Sequence, residues 1–310
     1  MSSARYPLPT DLVALVSFDG RVYPNEAKTW DRLGLHDRGP HPLETALEQW
    51  FSFATGKHTW VSVRGATIRG VISARRRTKR SAWEVEVLID ASDDKDVVLS
   101  LLRRMTAGVT KLGAERVFLR LAADSHLLDI AREAGFFTYS SETLYRHAGP
   151  LRAGSPCPAA RPRTKTDTLG IFHLYTRSVP ASVRAIEGPT LREWLAALEP
   201  WGGRPTDIVL EEDGVIAAWL RLLPGQPARF SLLQGQASID LDAVAREAAA
   251  RLSGSRSYLC LAPSYGQSLA VALKGLGFEP AGEYVALAKR LLRPAEEITP
   301  EKVSSAVPVS

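Results

Sequence analysis

Apolar residues recur along this chain with two alternating periods. HTWVSVRGATIRGVISARRR (58–77) alternates apolar and polar positions on either side of RGAT, which predicts two strands and a tight turn. SAWEVEVLID (81–90) predicts a third strand. DVVLSLLRRMTAGVTKLG (96–113) then changes to helical spacing and stops at Gly113. RVFLRLA (116–122) predicts a strand, SHLLDIAREAGF (125–136) a helix closed by Gly135, and FTYSSETLYRH (137–147) a last strand. Ahead of these, DLVALVSFDG (11–20) predicts a strand with an Asp-Gly turn, and PLETALEQWFSFA (42–54) a helix opened by proline.

The same order returns later. GIFHLYTRSV (170–179) and TLREWLAALE (190–199) have helical spacing, and TDIVLEEDGVIAAWLRLLPG (206–225) predicts two strands around EEDG. ARFSLLQG (228–235) predicts a third strand and DLDAVAREAAARLSG (240–254) a helix. RSYLCLA (256–262), GQSLAVALKGLGF (266–278) and EYVALAKRL (283–291) predict strand, helix and strand. RVFLRLAADSHLLDIAREAGFF aligns with RSYLCLAPSYGQSLAVALKGLGFE, so the chain carries an internal repeat of five elements. Between the copies, HAGPLRAGSPCPAARP (147–162) is rich in Pro, Gly and Ala and reads as a linker. The polar end RPAEEITPEKVSSAVPVS, with three prolines, reads as a disordered tail.

Composition narrows the class. With 310 residues, 45% hydrophobic and 24% charged, the chain suits two globular domains. It has no apolar run of membrane-spanning length and no signal-like start, and its two cysteines, Cys157 and Cys260, suit a reducing compartment, so a cytoplasmic location is expected. The net charge of +5 concentrates in the run Arg75, Arg76, Arg77, Lys79, Arg80 and around Arg161–Lys165. The former reads as a solvated hairpin tip or, alternatively, as a weak nucleic-acid contact.

The strand-to-helix turn LIDASDDKDVV holds Asp90, Asp93, Asp94 and Asp96. Asp90, Ser92, Asp94 and Asp96 fit the first four ligand positions of a calcium loop. Lys95 replaces its glycine and Leu101 its final carboxylate, so helix capping is the favoured reading. The six histidines show no metal-ligand spacing, and no metal is expected. Glu84 and Glu86 alternate on one strand face, which suits either a solvated face or a general base.

The repeated order, with the closing pairs Gly135-Phe136 and Gly277-Phe278 and the opening ARPRTKTDTLGIFHLY (160–175), resembles the GNAT N-acetyltransferase fold present twice. The resemblance implies an α/β (α+β) chain of two tandem GNAT-like domains, each a mixed, mostly antiparallel sheet flanked by helices. Their expected limits are 1–150, a linker at 151–157, 158–293, and a tail at 294–310. It also implies acetyl-CoA or another acyl-CoA lying in a V between two central strands, its pyrophosphate on the N-terminus of the following helix. In the first copy that position is Ser92–Val97, with three acids and no glycine, so this copy is expected to be non-catalytic. In the second it is Gln234-Gly235-Gln236-Ala237, after Leu232 and Leu233, and these six are the candidate cofactor contacts. The family's proton-donating tyrosine falls at Ala131 and Leu273, leaving Tyr265 as a substitute donor beside Glu84 and Glu86 as candidate catalytic residues. Arg184, Glu187 and Trp194 lie where the family covers its acceptor, a small-molecule or peptide amine. Two functions stay open: an acyl-CoA-dependent N-acyltransferase with a degenerate cofactor site, or a catalytically inactive tandem protein that binds RNA or a protein through the hairpin at 75–80.

Overall fold

The computed structural model describes residues 3–8, 23–34, 57–65, 67–151, 159–235, 240–252 and 254–291. The patterns expected at 11–20 and 42–54, most of the linker and the tail lie outside the described residues.

In the first half, β1 (Ser3–Arg5), β2 (Lys57–Arg64), β3 (Thr67–Arg76) and β4 (Ala82–Asp90) precede helix α1 (Lys95–Lys111). Then come β5 (Arg116–Ala122), α2 (Leu127–Glu133) and β6 (Phe137–Ala148). Helix α1 buries Val98, Leu101, Leu102, Met105 and Val109 on one stripe, each such side chain contributing roughly 1.5–3 kcal/mol. It stops because Gly113 takes φ +86°, a conformation that side-chain-bearing residues resist. Helix α2 is shorter than its pattern because Ser125 folds into a turn, its hydroxyl accepting the Leu127 N–H.

The second half supplies β7 (Ala160–Pro162), α3 (Thr168–Ser178), α4 (Ala181–Glu187), α5 (Leu191–Ala197), β8 (Thr206–Glu212) and β9 (Val215–Leu223). It ends with β10 (Ala228–Gln234), α6 (Leu241–Arg251), β11 (Ser257–Pro263), α7 (Gln267–Gly275) and β12 (Glu279–Arg290). Helix α4 has no counterpart in the sequence expectation. Seven residues between Pro180 and Gly188 are too few to display a helical period.

One twelve-stranded sheet joins the halves, in the order β1-β2-β3-β4-β5-β12-β6-β11-β10-β9-β8-β7. The closing strands are exchanged. β12 of the second half pairs with β5 of the first, while β6 of the first pairs with β11 of the second, and β6 and β12 pair with each other. The expected boundary near 150 therefore follows chain order, while the hydrogen bonds cross it. Helices α1, α2, α6 and α7 pack on one sheet face, over Leu88, Leu119, Phe230 and Cys260 among others. Helices α3 to α5 and residues 23–34 cover parts of the opposite face.

Candidate functional site

Each half opens a V between two parallel strands. β4 pairs with β5 only through Ala82–Glu84 and Arg116–Phe118, and β10 pairs with β11 only through Ala228–Phe230 and Tyr258–Cys260. Beyond these pairs the strands splay, which leaves backbone N–H and C=O groups to be satisfied by something else.

In the first V that partner is the chain itself. Glu26 N donates to Leu88 O of β4 at 2.9 Å, and Lys28 N donates to Arg120 O of β5 at 2.9 Å. Asn25, 6% exposed, donates Nδ2 to Glu86 O and accepts the Leu88 N–H on Oδ1, both at 2.9 Å. Residues 25–28 thus occupy the V as a short extra strand would.

Charged side chains fill the sheet face around this plug. Glu84 and Glu86, 2% and 3% exposed, lie neither on a solvated face nor beside an open ligand space. Arg75 donates Nε to Glu84 at 2.6 Å and Nη1 to Glu86 at 3.3 Å, and its Nη2 reaches Asp31 at 3.0 Å. Lys57 adds a 3.1 Å ion pair to Glu86, and Arg77 donates Nε to Glu84 at 3.0 Å. Burial pushes the Glu84 carboxyl up, opposed by Arg77 and Arg75. Arg120 grips Glu142 at 2.6 Å and takes both oxygens of Glu199 at 2.8 Å, bridging the halves. Against the cost of burial, Arg120 holds Glu199 down at about 2.

The same contacts correct the expectation for the basic run. Arg75 and Arg77 point into this network, Arg77 also donating to Ala197 O at 2.8 Å, and Arg76 lies 5.4 Å over the Trp83 ring. Only Lys79 and Arg80 of the five remain exposed. A hairpin tip with five free cations does not exist here.

The second V is different. Leu232, Leu233, Gln234 and Gly235 run along its β10 side, all partly exposed, while Gln236 and Ala237 lie outside the described residues. Among the described residues one hydrogen bond crosses its open end, from Gln234 Nε2 to Ser268 Oγ of α7 at 2.5 Å. Asp240 caps α6 by accepting the Ala243 N–H.

At the end of that V, the Tyr175–Glu187 pair lies within electrostatic reach of Tyr139 and Tyr265 across the seam. Tyr175 of α3 donates its hydroxyl to Glu187 Oε2 at 3.2 Å. Arg116, only 5% exposed, donates Nη1 to the carbonyls of Ile186 and Glu187, which pins the end of α4 over the sheet. Ser264 N donates to Ser141 O at 2.8 Å and so lays Tyr265 against β6, beside Tyr139. Burial raises Glu187 to about 7, with Glu142 and Glu199 adding to the rise and Arg77 and the Tyr175 hydroxyl opposing it. Tyr265 is 36% exposed, and burial of its hydroxyl, then Glu187, Glu142 and Tyr139, keep its phenol protonated above its usual range.

Of the three acceptor-site candidates only Glu187 belongs to this cluster. Arg184 donates Nε to Val179 O at 3.0 Å, and Trp194 is core, packed at tilted and edge-on angles among Phe172, Tyr175 and Trp219. Tyr139 and Tyr175 escaped the sequence reading, because the bend of β6 and the placing of α3 that bring them together are tertiary. In the acidic turn, Asp94 caps α1 by accepting the Asp96 N–H at 3.0 Å and pairs with Arg69. Asp90 and Asp93 come within 4.8 Å of His126, a grouping that spacing within the turn does not reveal.

Comparison with known proteins identifies the fold. No protein-family profile matches the chain, and neither does any curated protein sequence. Solved structures do match. A GCN5-related N-acetyltransferase from Sphaerobacter thermophilus superposes with a TM-score of 0.55 at 14% identity, covering 93% of this chain and 95% of that one. An acetyltransferase assigned in Pyrococcus horikoshii gives 0.52 at 11% identity over 94% and 90%. The N-myristoyltransferase of Saccharomyces cerevisiae with bound myristoyl-CoA gives 0.50 at 12% over 93% and 83%. The chain has the GNAT fold, repeated in tandem. No helix among the described residues is long and apolar enough to cross a membrane.

Proposed function

We propose that this chain, with the GNAT fold twice over, is an acyl-CoA-dependent N-acyltransferase whose second half works and whose first half supports it. One observation carries the reading: the first V is filled by Asn25–Lys28, while Glu187 and three tyrosines gather at the end of the second. An acyl-CoA suits the second V because β10 beyond Phe230 has no strand partner on that side, so its backbone can pair with the substrate's amides. The backbone N–H groups left unpaired there are also the kind of donor that stabilises the negative charge a thioester carbonyl develops.

In the reaction the neutral acceptor amine bonds through its nitrogen to the acyl carbon, and the Glu187 carboxylate takes the proton that this nitrogen sheds as the bond forms. The carbon–sulfur bond breaks, and the departing thiolate takes its proton from Tyr265. A base near 7 is matched to that task at neutral pH, because about half of it is ionised and it still holds a proton well. Glu84 and Glu86, neutralised by Arg75 and Arg77, are assigned to packing.

Calorimetry with acetyl-CoA tests the reading. One site per chain is expected, and no heat or thermal stabilisation at millimolar ligand would remove it.

A further inference from the structure

One cleft in the molecule lies outside both Vs. It measures about 810 Å³ and lies between the halves, where the β3–β4 turn and the end of α1 face the start of α5. That volume is ample for a small organic ligand. Lys79 and Arg80 come from the first half and Arg192 from the second, against the carboxylates of Glu115 and Glu193.

The two carboxylates are engaged differently from the cations. Glu193 is held by the capping box of α5, accepting the Thr190 N–H at 3.2 Å and the Thr190 hydroxyl at 2.6 Å. Glu115 sits beside buried Arg116 and partly offsets its charge. Among the described residues no hydrogen bond or ion pair takes up the side-chain cations of Lys79, Arg80 or Arg192. Arg116 adds a second observation. Its Nη2 is buried with no hydrogen-bond partner, a costly state for a guanidinium, while its Nη1 holds the end of α4 and thereby Glu187. The residue that positions the proposed base therefore stands next in sequence to Glu115 on the cleft wall.

We infer that this cleft receives an anionic group, phosphate or carboxylate, carried by the acceptor amine, so that the first half contributes substrate selection. The inference rests on the acyltransferase reading. It also accounts for the two members of the basic run that the ion network leaves exposed. Three donors converging from two halves suit an anion, whose charge-assisted bonds are about twice as strong as neutral ones.

The test uses the full chain and the triple variant Lys79→Ala, Arg80→Ala, Arg192→Ala, whose altered side chains are exposed and unbonded. Titrations with inorganic phosphate and with succinate, followed by amide NMR shifts, should place the response at Gly113 and Thr190 and weaken at least tenfold in the variant. Acetyl-CoA affinity is measured in parallel. Turnover is then compared for phosphoethanolamine, β-alanine and ethanolamine as phosphate-bearing, carboxylate-bearing and neutral amines. A lower KM for a charged amine, rising at least tenfold relative to ethanolamine in the variant, supports the proposal and identifies which anion is used. Equal KM for all three amines, or phosphate binding that survives in the variant, overturns it while leaving acetyl-CoA binding intact. Failure of acetyl-CoA to bind either protein sinks the acyltransferase reading instead, and with it the acceptor role of the cleft.

Discussion

The two Vs are built on the same strand order and differ in what completes them. In the first, residues 25–28 supply backbone and side-chain bonds to both strands, and the surrounding carboxylates meet arginines. In the second, one side-chain bond crosses the opening, and the nearby carboxylate, Glu187, meets a tyrosine hydroxyl. Direct ion pairs with two guanidiniums fix Glu84 in place, whereas Glu187, bonded to a tyrosine hydroxyl and to no guanidinium, is poised to exchange a proton. The comparison predicts that equivalent substitutions will have opposite signatures, structural in one half and catalytic in the other.

The largest effect is expected at Glu187. Glu187→Gln should lower acyl transfer about 10²–10⁴-fold, the usual contribution of a general base. In the wild type, activity should fall as pH drops through about 7, because the carboxylate takes up the proton that silences it. Stability responds with the opposite sense. The folded pKa is raised above its ordinary value of 4.5, so this group's contribution is complete below about 4.5 and is lost as pH rises through about 7. Rate–pH profiles and denaturation at several pH values measure both. A Gln variant that retains the wild-type rate and acid limb would equate Glu187 with Glu84.

The seam comes next. Arg120→Met leaves Glu142 without its guanidinium and Glu199 with only Arg77 at 4.0 Å, and should cost about 3–5 kcal/mol in urea unfolding. Glu199 is held below its usual range at about 2, so its contribution is present above about 4.5 and is lost as pH falls through about 2. That acid-side loss should be smaller in the variant, where only Arg77 still holds Glu199 down. A change below 1 kcal/mol would show that the bridge between the halves is incidental.

These two residues also show how far the sequence could be read. Period and turn chemistry revealed the strands and helices, since Gly113, Gly135 and the Asp213-Gly214 turn mark ends that local sterics impose. The alternation at Glu84 and Glu86 was visible, but alternation alone reports only that two residues share a face. Whether that face meets water or Arg75 and Arg77 depends on residues 29–34 and 197–199, which come from both halves of the chain. The strand exchange was hidden for the same reason. β6 and β12 have equivalent patterns, and nothing local states which sheet each will close. Asn25 carried no signal at all, being one polar residue in an unpatterned stretch.

Asn25→Ala tests the plug itself. It removes acceptance of the Leu88 and Ala27 N–H groups and donation to Glu86 O, and should destabilise by about 1–3 kcal/mol. Acetyl-CoA stoichiometry sharpens the result. It should remain one per chain, since Glu26 and Lys28 still bond to the strands and the acidic turn before α1 repels phosphate. A second bound acetyl-CoA would show that the plug, rather than the turn, is what closes the first V.

The smallest expected effect lies at the second opening. The Gln234–Ser268 bond links the end of β10 to the start of α7 across the path a pantetheine arm would take. A net hydrogen bond contributes roughly 0.5–1.5 kcal/mol, and entry of the substrate has to break this one. Gln234 Oε1 is buried without a partner, so the amide freed from Ser268 can still turn to a substrate N–H. Ser268→Ala should therefore tighten acetyl-CoA binding about 2–10-fold, since 1.4 kcal/mol is a factor of ten, while Gln234→Ala should weaken it. Calorimetry on the two variants separates a latch from a ligand contact. Equal tightening in both would leave Gln234 as latch alone, and no change in either would place the substrate's path away from β10, removing the contrast between the two Vs where it is most direct.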